Sequence, residues 1–161
     1  MEQKTYLENV YGKFNQDGFD LTNDKVNELD VVVAARKKFS LVKFATQMNT
    51  FAIMGASNNV SKDVIENFSK AALDYAIKNN KGLPRGLQSG VACFAVLVSS
   101  NVDESAKQWV EKKPKRHFAA SEMPVIFDLR NEELYYCKKT PIWGMIYYKS
   151  FRNFIEKYLK P

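Results

Sequence analysis

Few side chains in this sequence are of types that do covalent or metal chemistry. His117 is the only histidine. It stands in a basic run, the usual setting of a surface residue, so neither a His-based triad nor a His-rich metal site is expected. Cys93 and Cys137 are the only cysteines; they are too far apart for a CxxC motif and too few for a disulfide framework. Both read as small apolar residues in a reducing compartment. Gly82, Gly86 and Gly90 accompany Arg85, a setting that can hold a phosphate. The run precedes a strand instead of opening a helix, so it lacks the aligned amides of a phosphate loop, and turn-making is its plainer job.

Two groups of residues are better suited to binding than to chemistry. Lys112, Lys113, Lys115, Arg116 and His117 surround Pro114, and Lys138, Lys139, Lys149 and Arg152 surround Trp143, Tyr147 and Tyr148. Cations mixed with aromatics fit a phosphate backbone or unstacked bases. They have simpler uses as well: lysines at a helix end offset its dipole, and aromatics at helical spacing face a core. The segment Thr140 to Gly144, with Trp143 at its centre, is the first place to expect a protein contact.

The charge of the chain has a location. Its 161 residues are 45% apolar and 26% charged, with a net charge of +6. Residues 1–80 hold 10 Lys+Arg and 10 Asp+Glu, whereas residues 81–161 hold 14 and 8, so the entire excess lies in the second half. The first 30 residues carry 7 acids against 3 bases. A basic half attracts nucleic acid, acidic partners or an anionic surface, and it also keeps a protein solvated. There is no apolar run of the ~18 residues that a membrane span needs, no basic leader before an apolar stretch and no low-complexity tract. The expectation is one cytoplasmic globular domain over residues 1–161, with no membrane contact and no predictable oligomeric state.

The elements that must position these residues follow from periodicity. Leu7, Val10, Tyr11 and Phe14 recur at helical spacing, in a helix that Gly12 and the Asn15 to Gly18 stretch weaken or end. Phe19 and Leu21 suggest a brief strand. The Val-rich run Leu29 to Ala35 suits a strand covered on both faces. A turn near Lys37 to Ser40 then leads to strands at Leu41 to Ala45 and Thr50 to Gly55. Ser61 caps a long helix to about Asn80, with Val64, Ile65, Phe68, Ala72, Tyr75 and Ala76 inward and Glu66, Lys70, Asp74 and Lys78 outward. Val91 to Val98 is a second fully apolar strand. A helix starts near Ser100 or Asn101 and stops before Pro114, with acids in its first turn and lysines in its last. Val125 to Leu129 and Leu134 to Cys137 form a hairpin, and a helix bearing Tyr147, Phe151, Phe154, Ile155 and Tyr158 closes the chain.

The order helix, three strands, helix, strand over residues 1–100 resembles the PD-(D/E)xK, or restriction-endonuclease-like, superfamily. The phrases that carry the resemblance are Gly18-Phe19 after the first helix, Glu28-Leu29-Asp30-Val31-Val32-Val33-Ala34, and Leu41-Val42-Lys43-Phe44. Phe94 to Ser100, with Asp103 to Ala106 after it, resembles the fourth core strand and following helix of modification-dependent restriction enzymes. The resemblance implies an α/β (α+β) fold, a mixed central sheet flanked by helices. Residues 1–100 are then the nuclease-like core, and residues 101–161 an extension packed on it with a hairpin and a terminal helix.

In that superfamily two carboxylates hold Mg²⁺ and a lysine on the same strand face positions the attacking water. Asp30 and Lys43 match two of these roles. Leu41 stands where the second acid belongs, because side chains two apart on a strand share a face, and leucine cannot ligate a metal. Asp30 and Lys43 are then a vestigial pair, with no cofactor, or Mg²⁺ if the site is live. Glu8 and Glu66 are the substitutes that similar folds suggest; Glu66 is an ordinary solvent-facing partner of Lys62 and Lys70. The expected role is a non-catalytic nuclease-like domain that binds nucleic acid through Arg85, Lys112, Lys113, Lys115 and Arg116, or assists a nucleic-acid-processing partner. The other reading is a protein-interaction module using Trp143.

Overall fold

The computed structural model describes residues 1–40, 46–80, 89–112, 114–139 and 145–161. A seven-stranded mixed sheet runs through it in the order β1-β2-β3-β4-β6-β5, with β7 also on β6. The elements are α1 (Gln3–Gln16), β1 (Asp20–Val26), β2 (Leu29–Ser40), β3 (Thr46–Ala56), α2 (Lys62–Lys78), β4 (Ser89–Ser99), α3 (Glu104–Val110), β5 (Arg116–His117), β6 (Ala120–Asp128), β7 (Glu133–Tyr136) and α4 (Met145–Tyr158). β2 is antiparallel to both neighbours, β3, β4 and β6 run parallel, and β5 and β7 share the outer edge of β6. The expected α+β class, with a mixed sheet between helices, is the observed one.

Alternation along the strands builds two cores. Ala34, Ala52, Met54, Phe94, Val96, Val125 and Phe127 meet Tyr6, Val10 and Phe14 of α1 and Phe151, Ile155 and Tyr158 of α4. Val31, Val33, Ile53, Cys93, Ala95, Leu97 and Ile126 meet Ile65, Phe68, Ala72 and Ala76 of α2 and Ala106 and Val110 of α3. β4 is buried along its whole length because helices cover both of its faces. The aromatics of the terminal helix interlock with it: Phe154 stacks on Phe94 at 4.0 Å and Tyr158 on Phe14 at 4.8 Å. Tyr147 is the exception on that helix and is exposed.

Several expectations are met and some are displaced. Ser61 caps α2, its Oγ accepting from the Val64 amide at 3.3 Å, and the β6–β7 hairpin forms where expected. Both cysteines are free and buried; burial and the Glu122 carboxylate push the Cys93 thiol above its usual range, which leaves it inert. α1 continues through Gly12, and α3 starts at Glu104, after Asp103, instead of at Ser100 or Asn101. The larger correction concerns residues 37–40. They form no turn but extend β2, pairing Lys37 with Asn49 and Ser40 with Thr46. The expected strand Leu41 to Ala45 lies outside the described residues. Residues 101–161 are also more than a cover, since β6 enters the sheet beside β4.

Candidate nucleic-acid interface

The strand registers divide the molecule into two ends. Asp30 lies at the end marked by the tight turn from β1 into β2, where Asn27 and Glu28 take positive φ values of 47° and 64°. Lys25, its partner in register, is also its ion-pair partner at 3.1 Å, and both side chains are well exposed, at 68% and 86%. The expected counterion was Lys43. That residue lies outside the described set, but β2 carries the chain from Asp30 to Ser40 without a break, about 33 Å at the usual strand rise. The residue paired beside Asp30 is Gly55, opposite Val31. Among the described residues no group of three His, Cys, Asp or Glu side chains is placed to hold a metal ion.

Cations gather at the opposite end. One row crosses the sheet there: Lys37 is paired with Asn49, Asn49 with Val91, Val91 with Ala120, and Ala120 with His117. Four inter-strand steps separate Lys37 from His117, about 19 Å. The row brings a segment of the neutral first half level with the basic run of the second half. Lys37 and Lys78 are exposed at this end, and α4 ends there too, since Tyr158 packs on Phe14.

A cleft of about 450 Å³ opens on the Lys37 side, lined by Asp20, Arg36, Lys37, Asn49, Phe51 and Asn79 among others. Arg36 lines it, with its guanidinium 4.2 Å over the Phe19 ring and Nη1 donating to the Asp17 carbonyl at 3.1 Å. Asp17 is itself neutralised. Lys157 at 2.5 Å, with the Tyr158 hydroxyl beside it, holds its carboxyl below the ordinary range. The Asn49 side chain lines the cleft, is buried, and donates its amide to Asn80 just past the end of α2.

At the other end of the row the β5–β6 hairpin is anchored by charge. Glu122 is buried on β6 and accepts from Ser69 Oγ at 2.5 Å, while its other oxygen meets His117 Nε2 at 2.8 Å. Lys115 pairs with Glu66 at 3.6 Å. His117 is therefore a bridging residue and not merely a surface one, and Glu66 answers Lys115 instead of Lys62 and Lys70. Glu8 pairs with Lys4 at 3.8 Å on the surface of α1.

The sequence-derived binding residues divide accordingly. Lys112 and Lys115 are exposed on either side of Pro114. Arg116 lies in β5, with its backbone described. Arg85, Lys113 and Trp143 lie outside the described residues. Ser69 and Glu122 were not anticipated. Ser69 was visible in principle, standing four residues after Ile65 and three before Ala72 on the inner stripe of α2.

No protein-family model, curated protein or solved structure matches this chain.

Proposed function

We propose that this protein is a non-catalytic domain of nuclease-like architecture that binds nucleic acid, or holds it for a partner that processes it. The observation that carries the reading is the row from Lys37 to His117. It sets Lys37, from the first half, level with His117, which the exposed Lys112 and Lys115 of the second half precede in the chain, about 19 Å away along one sheet end, a length over which duplex DNA presents about eleven negative charges. The α1-β1-β2-β3-α2-β4 order supports the architectural part, being the order on which the family resemblance rests. The non-catalytic part is supported by Asp30, which is exposed, paired with Lys25 and remote from the basic end.

Binding of single-stranded and duplex oligonucleotides at several salt concentrations tests the reading. Affinity is expected to fall steadily with salt, and a flat response overturns it. Cleavage with Mg²⁺ or Mn²⁺ that disappears in Asp30→Ala overturns the non-catalytic assignment. If no nucleic acid binds and pull-downs recover a partner that Trp143→Ala loses, the protein is an interaction module instead.

A further inference from the structure

β2 outruns its neighbour β1. The last pair between them is Asp20 with Ala35, and beyond it Arg36 to Ser40 pair with β3 alone. The chain enters β1 through Gly18 at φ +73°, a conformation that glycine takes without strain. The cleft of about 450 Å³ opens at this step in the sheet, a size that holds a small molecule.

Arg36 decides the kind of molecule. Its guanidinium is half-buried and fixed twice, with one face on the Phe19 ring and Nη1 on the Asp17 carbonyl. Both contacts orient the group and neither cancels its charge. The Asp17 carboxylate already holds Lys157 and the Tyr158 hydroxyl, and its field reaches Arg36 as well, so one acid answers two cations. Lys37 adds a third cation at the cleft, where Asp20 is the second acid. Positive charge is left over. Arginine presents five N–H groups in a rigid fork, and the Asp17 carbonyl takes one through Nη1.

We infer that this cleft binds the phosphate monoester of a nucleotide, with the Arg36 fork on the phosphate oxygens and Lys37 supplying the second positive charge. A monoester carries close to two negative charges at neutral pH and presents three acceptor oxygens, which suits two cations better than a singly charged carboxylate does. The remainder of the cleft, with Asn79 and Phe51 in its lining, has room for the attached nucleoside. The Asn79 amide donates to the Tyr75 carbonyl at 2.9 Å, which orients its carbonyl oxygen as an acceptor. Two molecules offer this group: a free mononucleotide and the phosphorylated 5′ end of a strand. The second rests on the nucleic-acid reading above; the first does not.

The test measures binding of thymidine 5′-phosphate, thymidine, and an oligothymidylate with and without a 5′-phosphate. Thymidine 5′-phosphate is expected to bind about tenfold or more tightly than thymidine. Arg36→Lys keeps the charge but loses the fork, and should weaken monoester binding about ten- to a hundredfold. Lys37→Met, a change on an exposed side chain, should weaken it with unchanged melting, which keeps the result readable if Arg36→Lys disturbs the Phe19 contact. A 5′-phosphate that tightens oligothymidylate binding only while Arg36 is present supports the strand end as the source. Binding of thymidine 5′-phosphate with neither oligomer bound supports the free nucleotide and ends the nucleic-acid reading. If a monoester confers no advantage on thymidine or on the oligomer, the inference is overturned, and salt-dependent oligomer binding still upholds the nucleic-acid reading. A monoester preference that survives intact in both variants also overturns it, because the phosphate then sits elsewhere.

Discussion

The Ser69 hydroxyl donates to the buried Glu122 carboxylate at 2.5 Å, joining the middle of α2 to β6 across the face of the sheet. A carboxylate inside a strand that otherwise faces α2 with apolar side chains needs such donors, since a buried charge left without them is costly. His117 supplies the second at 2.8 Å. The arrangement puts the carboxylate between serine and histidine, which differs from a hydrolytic triad, where the histidine is central and the serine is free to attack. Its role here is to position the hairpin that carries the basic run.

Ser69→Ala removes one donor and leaves Glu122 Oε1 without it, at an expected cost of about 1–3 kcal/mol. A chain of this size then melts roughly 2–12 °C lower. Denaturant titration distinguishes the effect from a surface change, which stays within about 0.5 kcal/mol. A Ser69→Ala protein as stable as wild type would show that the hydroxyl contributes nothing to holding the carboxylate.

Among the described residues Lys107 and Asp128 form the most enclosed ion pair, with Nζ and Oδ2 2.9 Å apart and side chains 13% and 4% exposed. Burial opposes the charge on Asp128. The Lys107 ammonium and the amides of Asn131 and Arg130 outweigh it and hold the carboxyl below the ordinary range. The hydrogen bond to Asp128 raises Lys107 in turn. A lowered carboxyl contributes stability that is complete above its unfolded value, near pH 4, and is lost as pH falls through the folded one. A raised amine contributes below its unfolded value, near pH 10, and loses it as pH rises through the folded one. Stability measured against pH is therefore expected to hold a plateau and to fall on both sides, with Asp128→Asn flattening the acid limb. Lys107→Met leaves Asp128 buried without its cation and is expected to cost about 3–5 kcal/mol. An acid limb identical in wild type and Asp128→Asn would refute the assignment.

How much of this was legible in the sequence depended on how local the cause was. The α2 stripe, the apolar β4 run and the β6–β7 hairpin follow from periodicity and turn residues, and each formed where its pattern placed it, except that Val64, expected inward on the first turn of α2, is exposed. Arg36, Lys37 and Lys38 look like the end of a strand because their polarity breaks the Val-rich run. The backbone nevertheless continues to Ser40, since β3 offers a matching edge as far as Thr46. That longer strand is what moves Lys37 to the end of the sheet opposite Asp30. Glu122 was illegible for a related reason: a glutamate in a strand reads as solvent-facing, and only the fold reveals that Ser69 and His117 stand ready to receive it. The division of charge between halves was plain in the sequence. That Lys37 of the first half stands level with His117, at the end of the basic run, required the registers.

Lys37 and Lys112 are expected to contribute to oligonucleotide binding through phosphate contacts. Each change to alanine should weaken binding about equally for all sequences and reduce the salt slope by about one. Lys25→Ala, at the Asp30 end, is the control and should leave both unchanged; Lys25 and Asp30 are so exposed that breaking their pair alters stability by no more than about 1 kcal/mol. Equal effects from Lys25 and Lys37 would mean that binding follows net charge and not the end of the sheet.

Ala119 offers a separate test of the strained hairpin. At φ +48° its Cβ crowds the following carbonyl, a penalty of about 1–2 kcal/mol that glycine does not incur. Glycine gives some of this back by loosening the unfolded chain, by about 0.4–1 kcal/mol. Ala119→Gly is therefore expected to be neutral or to stabilise by up to about 1.5 kcal/mol, where a typical substitution destabilises. The Val91 amide still reaches the residue 119 carbonyl and Glu122 still holds His117, so the hairpin is expected to keep its register while the melting temperature holds or rises. A protein destabilised by Ala119→Gly would show that the left-handed turn carries no strain and that the unfolded-chain entropy of glycine decides the outcome.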